Sequence, residues 1–96
     1  MKSFLFIFHT ARKSSPMSAW NDYVAMLHAG KHLIGGSSLG HGEGLRAGAT
    51  TAVKAKTLGG YMVIQAPSIA KARALAKQSP THAHGGTVDI FPLVMS

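Results

Sequence analysis

The chain has 96 residues, 46% of them hydrophobic and 14% charged, and no cysteine, which fits one globular domain over residues 1–96 and excludes a disulfide framework, a thiolate metal site and a cysteine nucleophile. Ten Lys and Arg against Asp22, Glu43 and Asp89 leave a net charge of +7; this favours anionic partners, yet the basic residues are scattered and form no run of the kind a nucleic-acid-binding tail carries. Nothing approaches the roughly 18 consecutive apolar residues of a membrane span, so a soluble cytoplasmic protein with no membrane partner is expected.

Residues 2–9, KSFLFIFH, alternate Phe4, Phe6 and Phe8 with Leu5 and Ile7. This predicts a strand apolar on both sides rather than a secretory signal. Ser15 before Pro16 predicts a helix start, with Ser15 as N-cap and Pro16 at the first helical position. Trp20, Val24 and Leu27 follow at helical spacing, joined by Tyr23, and Ala29-Gly30 ends the helix. Residues 31–39 predict a second strand that loosens into a bulge at Gly35-Gly36. The glycine-rich stretch 40–57 reads as loop, with a short extra strand or hairpin arm at its centre. Residues 58–66 predict a third strand, again apolar on both faces, with Tyr61, Val63 and Gln65 against Met62, Ile64 and Ala66. Pro67-Ser68 caps a second helix that turns Ile69, Ala72, Leu75 and Ala76 inward and Lys71, Arg73 and Lys77 toward water, and Pro80 stops it. Gly85-Gly86 leads into a last strand over 87–94. Val88, Ile90 and Val94 share one of its faces; Asp89, Phe91 and Leu93 share the other, where burial of Asp89 would demand a partner.

The order strand, helix, strand, strand, helix, strand, joined by right-handed crossovers, predicts an α+β, ferredoxin-like fold: a four-stranded antiparallel sheet with both helices on one face. Strands apolar on both sides leave the second face in need of cover. The economical cover is a second copy, giving a homodimeric α+β barrel.

The run Leu58-Gly59-Gly60-Tyr61, then Val63-Ile64, Ala66, Ser68, Ala72, Leu75-Ala76, Pro80, Gly85-Gly86, Val88-Asp89 and Pro92, resembles the C-terminal half of the YCII-related (DGPF-like) family. Trp20, Ala29-Gly30, Leu33 and Gly35-Gly36 fit its N-terminal half more loosely. The resemblance implies a dimeric ferredoxin-like α+β barrel, in a family few of whose members have a settled activity. Residues 52–57, AVKAKT, stand where the Asp-Gly-Pro-Phe segment would be, Phe91 where Arg is common and Asp89 where Glu is common. Some members are proposed to use a catalytic pair of a His in the first helix and an Asp after the second strand. In this chain Trp20 and its neighbours offer no such His, and residues 37–48 contain no Asp.

In a split βαβ sheet the first two strands end at the edge where the last two begin. That edge is expected to gather His9 and Arg12, His41 with Glu43, Gly59-Gly60, and His82 with His84, while His28 and His32 fall at the far end. A pocket for a small anionic metabolite is therefore expected from His9, Arg12, His41, Gly59, Gly60, His82 and His84, imidazole and guanidinium supplying charge and glycine allowing close approach. His9, His82, His84 and Asp89 are the candidates for acid–base chemistry, and whether the chain is an enzyme stays open. The spacing His82-x-His84 in a strand-like segment, with His9, also matches a metal site, but Glu43 is the one carboxylate near to supplement it, so no metal and no cofactor are expected. Two rival classes remain. The RNA-recognition fold shares this element order, with Phe6, Phe8 and Tyr61 as stacking aromatics, but the RNP1 pattern is poorly met and no specific nucleic acid is expected. A purely structural or interaction domain would carry no site at all.

Overall fold

A computed structural model describes residues 1–10, 15–40, 42–51 and 58–94. Its elements run β1 (Lys2–His9), α1 (Met17–Ala29), β2 (Leu33–Ser38), β3 (Gly44–Arg46), β4 (Ala49–Thr51), β5 (Leu58–Ala66), α2 (Ile69–Lys77), α3 (Pro80–Ala83) and β6 (Val88–Pro92). The sheet order is β2-β5-β1-β6, with every neighbouring pair antiparallel. This is the ferredoxin-like α+β arrangement. The hairpin expected within 40–57 is β3 paired with β4, turned at Ala47-Gly48, where Gly48 takes a φ of 80° that glycine tolerates.

Register decides which side chains meet. Phe4 faces Ile64 across β1 and β5, Phe6 faces Met62, and on the other side Phe6 faces Ile90. These residues point toward the helices, where Phe4, Phe6, Phe8, Ile64 and Ala66 join Tyr23 and Leu27 of α1 and Ala72, Leu75 and Ala76 of α2 in one core. The small alanines of α2 let it lie close to the sheet. The Tyr23 hydroxyl donates to the Leu75 carbonyl at 2.9 Å and so ties α1 to α2. Burial pushes the Tyr23 phenol well above its ordinary pKa, because the ionised form would lose its hydration.

The alternate residues of the strands form the helix-free face. There Leu5 lies between Val63 and Phe91, and Ile7 between Tyr61 and Asp89. Phe91 is 48% exposed and Leu93 45% exposed. Phe6 and Phe8 are buried on the opposite face, so they offer no stacking platform for RNA bases. Among the described residues, no helix is long and apolar enough to cross a membrane.

Several local expectations are corrected. Ser15 is not the cap of α1: Pro16 occupies that position in extended conformation, without a side-chain cap bond. Pro80 does more than end α2, since Ser79 accepts from the His82 amide and Pro80 opens α3. His82 therefore lies in a helical turn, with His84 capping it, rather than in a strand-like segment. Ile69 is exposed at the start of α2, and Val94 is exposed beyond the end of β6. The bulge in β2 falls between Leu33 and Gly35, slightly before the predicted glycine pair. Asp89 is not buried, its side chain being 45% exposed.

At the sheet end nearest α1, β2 and β5 approach closely. A Cβ on Gly36 would lie 2.5 Å from the Tyr61 carbonyl oxygen, and one on Gly60 would lie 2.9 Å from that of Ser37. Only glycine fits at either position without moving backbone.

Candidate functional site

The first two turns of α1 present Met17, Trp20, Asn21 and Val24 at intervals of three and four residues, one stripe of the helix surface. Opposite that stripe are the ends of three strands: Phe8 and His9 with Thr10 after β1, Gly36, Ser37 and Ser38 of β2, and residues 59–62 of β5. Ser15 and Thr81 complete the wall of a cleft of about 700 Å³. Antiparallel pairing brings these segments together, because Phe8 and Ser38 both stand opposite Gly60.

Trp20 packs edge-to-face against Phe8 at 5.2 Å and Tyr23 at 6.1 Å. It remains half-buried and also lines the cleft. The described wall is mainly apolar, and its polar residues are Ser and Thr, Tyr61, Asn21 and one histidine.

That histidine is His9. Its Nε2 lies 2.6 Å from Asp89 Oδ2. An ionised carboxylate can only accept, so Nε2 carries the proton and donates it to Asp89. The carboxylate thereby fixes the ring's orientation and tautomer. The contact joins residues 80 apart in sequence. It is possible because β6 lies beside β1 and sets Asp89 opposite Ile7, one step diagonally from His9.

A second imidazole has a different role. His84 Nδ1 is 2.9 Å from the Pro80 carbonyl and 2.9 Å from Ser15 Oγ. A carbonyl cannot donate, so Nδ1 bears the proton and Ser15 accepts a share of it. His84 is thus unable to take the Ser15 proton at that nitrogen. The pair tethers the start of α1 to the α3 turn and is not an activated nucleophile.

Of the expected pocket residues, the cleft gathers His9, Gly59 and Gly60. His84 stands behind Ser15, and His82 is exposed on α3 away from the cleft wall. Arg12 and His41 lie outside the described residues, and no Lys or Arg side chain lines the cleft among those described. No group of three His, Asp or Glu residues suited to a metal ion occurs among them either. His28 and His32 are at the far end, His32 donating from Nδ1 to the Gln65 carbonyl at 2.8 Å.

Thr10, Met17, Asn21, Ser37 and Ser38 were not foreseen in the cleft. Ser37-Ser38 fall in the predicted second strand with no motif to mark them, and the Met17-Trp20-Val24 stripe carries the same periodicity as a helix face packed in a core.

A search of curated proteins gives no match. The model of the YCII-related domain family matches residues 7–94, from the middle of β1 past the end of β6. The chain belongs to the YCII-related domain family.

Proposed function

We propose that this YCII-related protein binds a small metabolite in the cleft between α1 and the sheet end, with His9, oriented by Asp89, as the group that exchanges a proton with it. The observation that carries this reading is the 2.6 Å contact of Asp89 Oδ2 with Nε2 of His9, a residue of the cleft wall. A carboxylate-held imidazole is the commonest acid–base device in enzymes, and positioning it contributes typically 10²–10⁴-fold in rate, about 3–5 kcal/mol. The expectation that the ligand is anionic rests on the net charge of +7 and on Arg12 and His41.

The working unit is a pair of copies. Leu5, Ile7, Tyr61, Val63, Phe91 and Leu93 form a connected apolar strip on the helix-free face, and a strip of that kind exposed on a monomer is unfavourable. A second sheet packed against it removes the strip from water without touching the cleft wall contributed by α1.

A thermal-shift screen of a metabolite collection tests the ligand reading, because a compound that binds only the native state raises its melting temperature. Wild type and His9→Asn are compared. The His9–Asp89 pair is partly exposed, so its loss alters stability by at most about 1 kcal/mol and the variant remains folded. A compound that stabilises wild type but not His9→Asn is the expected result. Compounds that stabilise both equally would remove His9 from the site.

A further inference from the structure

The fold leaves two hydroxyls of the cleft wall unused. Thr81 is only 5% exposed and borders the cleft. Its backbone is fixed: its carbonyl accepts from the Gly86 amide at 2.8 Å, and it is the second residue of a helical turn that Ser79 caps. Its side chain, by contrast, makes no hydrogen bond among the described residues. No sealed side-chain oxygen or nitrogen among those residues lacks a partner, so the Thr81 hydroxyl is not shut in. It reaches the small surface that the residue keeps, at the cleft. A hydroxyl so nearly buried costs stability unless something bonds to it.

Ser15 is the second. His84 Nδ1 donates to its Oγ at 2.9 Å, so the oxygen accepts there and keeps its own proton to give. No described group takes that proton. The two residues are neighbours where α1 meets α3, because the same Nδ1 is 2.9 Å from the carbonyl of Pro80, the residue before Thr81. The wall is otherwise mainly apolar, and in such a site a few placed polar groups fix how a ligand is oriented.

We propose that Ser15 and Thr81 are the specificity-determining pair of this cleft, donating their hydroxyl protons to an acceptor group of the ligand, a carbonyl or a carboxylate. Donation of this kind serves a neutral or an anionic oxygen alike. The pair rests on the cleft being the ligand site, as proposed above, and the test separates the two claims. Full-length wild type, Thr81→Val and Ser15→Ala are compared. Valine keeps the shape of threonine and removes the one group the fold does not use. Without any added compound, Thr81→Val should therefore melt at the wild-type temperature or above it. A hydroxyl with a structural bond would instead lower it by several degrees, and that result overturns the proposal. Binding is read by NMR from the indole N–H of the single tryptophan, Trp20, on the cleft wall. The probes are acetophenone, benzoate and toluene: one carbonyl, one carboxylate and no acceptor. Acetophenone or benzoate should shift the indole signal saturably. Each hydroxyl removed should raise that midpoint about fivefold, equivalent to roughly 1 kcal/mol, and leave any toluene midpoint in place. A response to acetophenone marks a carbonyl as the ligand group, and one to benzoate alone marks a carboxylate. Midpoints unchanged in either variant, raised equally for toluene, or a response to toluene alone would overturn the pair while the cleft stands as a binding site. If none of the three compounds shifts the indole signal, the pair falls and the cleft loses its support with it.

Discussion

Tyr23 shows how one buried polar group both joins and limits the fold. Its ring fills the space between the helices and its hydroxyl meets the Leu75 carbonyl. Its folded pKa is raised by burial above the ordinary value of 10.0. The folded chain therefore holds the phenolic proton more tightly than the unfolded chain does, so this contribution to stability is fully present below about pH 10 and is lost progressively as pH rises beyond it. Tyr23→Phe keeps the ring but loses the hydrogen bond. It should cost about 1 kcal/mol at neutral pH and flatten the alkaline decline, as read from urea midpoints between about pH 8 and 11. An equally steep decline in the variant would assign the alkaline loss to other groups. The His9–Asp89 pair obeys the opposite logic. Being partly exposed, it contributes little stability, so its interest lies in what it does to the His9 ring.

At the scale of elements, β1, β5 and β6 are legible because both of their faces carry apolar residues, a pattern that helices and loops do not share. The two Ser-Pro pairs show where legibility stops. Ser79-Pro80 forms an N-cap with proline at the first helical position, whereas at Ser15-Pro16 the serine hydroxyl meets His84 and the proline becomes the cap. The local sequence is the same, and a residue 69 positions away decides between the outcomes. The His9–Asp89 contact was hidden for a related reason: both residues were candidates, but only the register of β1 against β6 makes them neighbours. The end of the sheet to which the histidines belong could be read from topology alone. Which of them face the cleft could not, because that depends on the α3 turn. Close packing of β2 on β5 predicts a sharp contrast between adjacent glycines. Gly36→Ala forces a Cβ against the Tyr61 carbonyl and should cost about 1–3 kcal/mol. Gly35→Ala meets nothing within 4 Å and should be neutral or stabilising by about 0.5 kcal/mol. Chemical denaturation of the two variants measures the difference, and equal losses would contradict the strand spacing described here.

At the scale of the whole molecule, the sheet has one face sealed by helices and one apolar face without them, and the cleft opens at the end of the sheet beside α1. If the helix-free faces of two copies meet, sedimentation equilibrium at micromolar concentration should give about twice the chain mass of 10.1 kDa. Val63→Asp, placed in the middle of that face opposite Leu5, should then yield a folded monomer, since the core on the helix side is untouched; a wild type that sediments as a monomer would remove the second copy from the account. The central claim, however, is that the cleft bearing His9 and Trp20 is the ligand site. The most direct measurement is the emission of Trp20, the single tryptophan, titrated with whichever metabolite stabilises the protein in the thermal screen. Emission should change saturably at the concentration that stabilises the fold, and His9→Asn should raise the midpoint about tenfold or more, equivalent to roughly 1.4 kcal/mol. A metabolite that stabilises the protein yet leaves Trp20 emission unchanged, in wild type and variant alike, would place binding elsewhere and contradict the assignment of this cleft.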